Sequence, residues 1–181
     1  MQAGDESASE AAALALARCG AEALPFLESW LTSAEVDMRW WAARTLAEIS
    51  LLQTAARLAA LLGDPDPGVR CCALAGLQRQ PYPAALPVLL DLLGSADQLE
   101  GRLAGDALAA LGASALLGLT EKLQNGGLLA QIQAARALAF LGDPSAVPAL
   151  FAALDHESQI VQHWANQGLE RLGVGMVFYQ P

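Results

Sequence analysis

The chain has 181 residues, 54% of them apolar but only 6% aromatic, so alanine and leucine carry the apolar content. That balance favours helix, because strands draw on the β-branched and aromatic side chains that are scarce here. The net charge of −9, with a single lysine among ten basic residues, argues against a nucleic-acid interface and an anionic membrane surface, both of which need a cationic patch.

The N-terminal stretch MQAGDESASE is acidic and polar, so no secretory signal is expected. Mean hydropathy is +0.34. The most suspicious apolar run, residues 107–120, has two glycines and falls short of the roughly 20 residues that a membrane span requires. Cys19, Cys71 and Cys72 are odd in number and two are adjacent. Neighbours on one helix do not easily form a disulfide, so these read as free thiols in a reducing, cytoplasmic compartment.

Residues 6–20, ESASEAAALALARCG, form the first predicted helix, with Ala12, Leu16 and Gly20 in a register that recurs throughout the chain. The pattern Ala-x-x-x-Leu returns at Ala42 and Leu46, Ala73 and Leu77, Ala104 and Leu108, Ala134 and Leu138, and Ala165 and Leu169, in steps of 31, 31, 30 and 31. A second register, Pro25, Ala56, Pro87, Gly118 and Pro148, keeps nearly the same period. Two registers sharing one period define an array of repeats.

Each unit reads as two helices. The first carry LPFLESWL, ARLAALLG, LPVLLDLLG, LGLTEKLQ and VPALFAALD, and the second carry MRWWAARTLAEI, VRCCALAGLQ, GRLAGDALAALG, QIQAARALAFLG and VQHWANQGLERLG. Prolines at positions 83 and 144 suit a first helical turn, and Pro25, Pro87 and Pro148 should bend or start the regular helix. Asp66, Asp97 and Ser158, with Glu35 in the first unit, occupy the N-cap position of the second helix, and Gly127 breaks the rule in the fourth. Gly20, Gly112, Gly142 and Gly173 read as C-terminal stops. The expectation is an all-α, right-handed solenoid of about eleven helices in one domain, 1–181. It comprises a lone helix over 6–20, five pairs over 21–173 and a capping tail, VGMVFYQP, over 174–181.

The stretches DPDPGVRCCALAGL and GDPSAVPALFAAL resemble HEAT-like repeats, in particular those of the phycobilisome lyases, and the resemblance covers about residues 6–173. Arginine at 39 and 70 fits that pattern, whereas Gly101, Gln131 and Gln162 depart from it. The resemblance implies that the second helices line a concave face. A helical wheel then selects Trp40, Arg44, Arg102, Asp106, Arg136, Phe140, His163 and Gln167 as partner-binding residues, with Ile132 on the same face. Arginine beside exposed aromatic side chains is the composition of protein-contact hot spots. Trp30, Trp41 and Trp164 read as packing residues. Acidic residues gathered at the turns, among them Asp64, Asp66, Asp155 and Glu157, form a solubilising edge that suits helix N-termini.

These observations lead to a non-enzymatic, cytoplasmic scaffold or adaptor that binds another protein along a groove, needs no cofactor or metal, and contacts neither nucleic acid nor membrane. The lone N-terminal helix leaves room for a homodimer. The resemblance also implies an alternative, a bilin lyase or a phycobilisome-associated, chaperone-like subunit. A metal-dependent hydroxylase of the deoxyhypusine type is disfavoured because His156-Glu157 is the one His-Glu pair, and seven residues separate His156 from His163 on different elements. A HEAT-like DNA glycosylase is disfavoured by the charge. His156 takes the repeat position of Asp64, which shows no common chemistry in the sequence.

Overall fold

The structure, a computed structural model, describes residues 3–174, with side chains from residue 10. Eleven α-helices and no strand occur among the described residues. They are α1 (Ala3–Arg18), α2 (Leu24–Leu31), α3 (Val36–Glu48), α4 (Leu52–Ala60), α5 (Pro67–Arg79), α6 (Leu86–Leu92), α7 (Gln98–Ala110), α8 (Leu116–Asn125), α9 (Leu128–Leu141), α10 (Val147–Ala152) and α11 (Gln159–Arg171). None is long and apolar enough to cross a membrane. The predicted capping tail lies, but for Val174, outside the described residues. The chain divides into two compact units, residues 1–82 and 83–181.

In the first unit α3 packs against α1, α2, α4 and α5. In the second, α9 packs against α7, α8 and α11, with α10 against α11. Two rows of side chains build both cores. The anchor alanines and leucines of the second helices are at most 2% exposed. So is a row on the first helices, Leu27, Leu58, Leu89, Leu119 and Leu150. Each such leucine stabilises its unit by roughly 1.5–3 kcal/mol relative to an exposed one. This second row corrects one register. Leu119 is the counterpart of Leu89 and Leu150, so Leu117, not Gly118, stands in line with Pro25, Pro87 and Pro148. The one-residue shortening falls in the connection between Gly112 and Leu116, before the fourth pair.

The chain signals act where the helices begin and end. Pro25, Pro87 and Pro148 sit in the first turn of α2, α6 and α10. Short 3-10 turns at Pro83–Ala85 and Pro144–Ala146 lead into α6 and α10. The four predicted stop glycines have φ between 59° and 73°, a left-handed conformation that glycine adopts without a Cβ penalty. The second helices α3 and α5 lack such a glycine. Their ends use a buried polar cluster instead. The Gln80 amide donates to the carbonyls of Leu46 and Ala47, at 3.1 and 3.2 Å, and so satisfies the open end of α3. The Gln80 Oε1 accepts from Thr54, whose hydroxyl also lies 2.6 Å from the Ile49 and Leu51 carbonyls.

The turns inside the pairs share a chemistry that the sequence reading did not assign. Asp66 and Asp97 cap α5 and α7 with side-chain bonds, as expected. Ser158 and Glu35 make no side-chain cap bond. Their backbone N–H groups are used instead: Ser33, Asp64, Ser95 and His156 each accept the N–H two residues on, at 2.9–3.1 Å. These acceptors fall at one repeat position. Histidine belongs there because an imidazole nitrogen, like a carboxylate or hydroxyl oxygen, can accept. Its Nδ1 takes the Ser158 N–H, so Nε2 carries the proton and donates to Gln131 Oε1 at 3.2 Å.

That last contact corrects the expectation that His156 stands at a position without common chemistry. Arg39 reaches Asp64 at 2.7 Å, 25 residues on, and Gln131 reaches His156 across the same separation. The second-helix side chains also clamp their own turns. Arg39 and Arg70 donate to the carbonyls of Ser33 and Asp64, six residues back, and Gln162 does the same to His156. Glutamine therefore keeps the contact geometry of arginine at two of the three departures, and Gly101 does not.

The Arg39–Asp64 pair has a pH signature. The Arg39 guanidinium, hydrogen-bonded to Asp64, holds that carboxyl below its ordinary value of 3.8, with burial opposing the shift. A depressed folded-state value contributes stability that is complete above the ordinary value and disappears as pH falls through the folded one. Asp64→Asn is expected to lower the urea midpoint at neutral pH, and its deficit should shrink on acidification below about pH 4. Parallel pH profiles for the two proteins would show that the pair contributes nothing.

Candidate functional site

The eight residues selected from the sequence are divided between the units. Trp40 and Arg44 belong to the first. Trp40 is half-buried against Trp41, edge to face at 4.9 Å. Its indole also lies over the start of α5, 3.6 Å from where a Cβ on Gly68 would stand. Arg44 is tied to Glu48 Oε1 at 3.3 Å and faces Glu10 at 3.7 Å, while Arg79 grips both Glu48 oxygens, Oε1 at 3.1 Å and Oε2 at 3.3 Å. Exposed pairs of this kind contribute about 0–1 kcal/mol each.

Arg102, Asp106, Arg136, Phe140, His163 and Gln167 belong to the second unit, on α7, α9 and α11. Here the helix spacing does place side chains together. Arg136, four residues before Phe140 on α9, pairs with Asp106 of α7 at 2.8 Å, and both side chains are more than four-fifths buried. The same guanidinium lies 4.9 Å from the Phe140 ring centre and 5.8 Å from that of Trp164. Arg171 covers Phe140 from α11 at 4.3 Å. Phe140 and Trp164 are 5.9 Å apart, and His163 meets Trp164 edge to face at 5.4 Å. The arrangement is an arginine–aromatic stack fixed by one partly buried ion pair, in which each cation–π contact adds about 0.5–2 kcal/mol.

Beside this stack is an open groove of about 770 Å³, bordered by Leu99, Arg102, Ile132, Gln133, Phe140 and Trp164 among others. Leu99 is 48% and Phe140 45% exposed. Arg102 makes no side-chain hydrogen bond or ion pair among the described residues. Gln133 Oε1 is buried and has no hydrogen-bond partner among the described residues. Sequence reasoning missed Gln133 and Leu99 and took Trp164 for packing alone. Gly101 packs beside Gln133: a Cβ at 101 would stand 3.3 Å from the Leu93 carbonyl oxygen and in ordinary contact with Gln133 Cγ, at 3.7 Å, so no residue type in the sequence marks Gln133. His163 is exposed at one end, and Gln167 bonds Glu170 at 3.3 Å.

No group of three or more histidine, cysteine, aspartate or glutamate side chains able to hold a metal occurs among the described residues. Both ring nitrogens of His156 are engaged in the turn. Burial raises the Cys72 thiol to about 11, which disfavours a reactive thiolate there.

Consecutive helix pairs with two period-locked apolar rows define an α-helical repeat solenoid. A family model for HEAT repeats matches residues 24–112, and one for the PBS lyase HEAT-like repeat matches residues 130–156. The chain belongs to the HEAT-like repeat proteins. No curated protein matches the sequence. Among solved structures, it is similar to a chain of the complex of CpcE and CpcF of phycocyanin lyase from Nostoc sp. PCC7120, at 22% identity and a TM-score of 0.61. That match takes in 81% of this chain and 63% of the other, so it spans less than two thirds of that neighbour. A designed armadillo repeat protein in complex with the peptide (KR)4 matches at 21% identity, with a TM-score of 0.56 and 92% of both chains covered. An engineered protein matches at 25% identity and a TM-score of 0.52, over 94% of this chain and 92% of its own. These likenesses show the fold.

Proposed function

We propose that the protein is a non-enzymatic scaffold or adaptor and that it binds a protein partner in the groove of the second unit. One observation carries this: a preformed arginine–aromatic surface, anchored by Arg136–Asp106, beside exposed Leu99 and Phe140 and an Arg102 unpaired among the described residues. Aromatic and arginine side chains concentrate binding energy, and a surface fixed before binding loses little conformational freedom when the partner arrives. Arg102, Asp106, Arg136 and Phe140 form the working centre, with His163 and Gln167 at its edge. Trp40 and Arg44 of the first unit remain candidate contacts of their own. The test is affinity capture from native lysate, by the wild type and by Arg102→Glu/Phe140→Ala. The double variant is expected to lose partners that the wild type retains, and identical captured sets would refute the assignment.

A second function, that of a bilin-lyase-like or phycobilisome-associated subunit, is favoured by the match of the PBS lyase repeat model to residues 130–156, which supply Ile132, Arg136 and Phe140. Coexpression with a bilin and its acceptor would then give a coloured product, and a colourless one would count against it.

A further inference from the structure

We infer that the groove takes an extended acidic segment of its partner, with carboxylates on Arg102 and Arg171, one apolar side chain against Phe140, and a peptide group on Gln133. The inference rests on the groove being the protein-binding site. Three separate observations support it.

The first is charge. Residues 83–181 hold nine acidic residues and four basic ones. Lys122 is occupied with Asp91 at 3.2 Å. The other three, Arg102, Arg136 and Arg171, all gather at the groove and its aromatic stack, where Asp106 pairs with Arg136. Arg102 and Arg171 have no carboxylate partner among the described residues. A cationic site on an otherwise acidic unit selects the opposite sign from the one that net charge would attract.

The second is the floor. Leu99, Ile132, Phe140 and Trp164 offer an apolar surface between the arginines, which suits a single aliphatic or aromatic side chain flanked by carboxylates. The third is Gln133. Its buried Oε1 has no donor among the described residues, and a buried polar group left unpaired is destabilising. With the amide turned end for end, the same position would offer an N–H in search of an acceptor. A peptide unit carries both groups and satisfies either orientation; an aliphatic carboxylate does not.

The test uses the full chain and calorimetric titration with an eight-residue peptide alternating glutamate and leucine. The same peptide with glutamine in place of glutamate is the control. The acidic peptide is expected to bind at least about tenfold more tightly than the control and to weaken with added salt. Arg102→Glu should lower that affinity by about tenfold or more; the Arg102 side chain is exposed and makes no hydrogen bond or ion pair among the described residues, so the variant should fold. Binding of both peptides with equal affinity, unchanged binding by Arg102→Glu, or no binding of the acidic peptide would overturn the inference. If Phe140-dependent partners are still captured from lysate in any of those cases, the protein-binding proposal stands and the acidic segment alone is wrong.

Discussion

Gly76→Val is expected to destabilise the first unit by about 3 kcal/mol, the upper range for overpacking a filled core. A Cβ at position 76 would stand 2.7 Å from Leu58 Cδ1, 2.9 Å from Ala47 Cβ and 3.2 Å from Ala47 Cα. Leu58 could turn aside, but the backbone of α3 cannot. The helix-propensity gain from removing a glycine, about 1 kcal/mol, is too small to offset the clash. The same close approach recurs at Gly168, where a Cβ would meet Leu150 Cδ1 at 2.8 Å and Ala139 Cα at 3.1 Å. The two glycines stand just before their anchor leucines, at a register that Ala107 and Ala137 fill in the intervening pairs. The third and fourth pairs thus accommodate a methyl group that the second and fifth cannot. Urea unfolding of the full chain gives the measure. An unchanged midpoint for Gly76→Val would mean that α3 and α5 are free to move apart.

Gln80→Leu is expected to cost about 2 kcal/mol despite placing an apolar side chain in a buried site. Losing the amide leaves the Ala47 carbonyl without its donor and the Leu46 carbonyl with the Ile49 N–H alone, and Thr54 loses one of its four contacts. The cost arises from unpaired buried groups rather than from lost volume. Gln80→Glu, which keeps the shape but replaces the donor by a second acceptor, should be as harmful or worse. Equal stability of the Leu variant and the wild type would show that water reaches the end of α3.

Much of the fold is legible in the sequence because a repeat writes its constraints several times. One alanine at 0% exposure is a coincidence; five at steps of 31, 31, 30 and 31 are an architecture. The stop glycines were legible for the same reason, since a left-handed residue has a strong preference for glycine. What escaped was chemistry carried by unlike residues. Serine, aspartate and histidine all accept the N–H two positions on, and a pattern of residue types does not reveal a shared acceptor. Arg39–Asp64 and Gln131–His156 were hidden in the same way. The missing residue before Leu116 was misplaced because Gly118 stands one full period of 31 after Pro87, whereas the buried Leu119 fixes the true register.

The site was less legible than the fold. A helical wheel places Arg102, Asp106, Arg136 and Phe140 on one face, but it carries no distances. It therefore cannot tell that Arg136 is committed to Asp106 while Arg102 has no ion pair among the described residues. It is equally silent about Gln133, whose burial depends on packing against a different helix, with Gly101 of α7 beside it.

Comparative capture from native lysate bears most directly on the groove. Three proteins are compared: the wild type, Arg102→Glu/Phe140→Ala, and Leu117→Ala, which alters a side chain 80% exposed on α8 and outside the groove. All three should give the same circular dichroism. The wild type and Leu117→Ala should retain the same specific partners, and the groove variant should lose them. Partners that survive the groove changes but disappear with Leu117→Ala would place binding on the first helices and contradict the account.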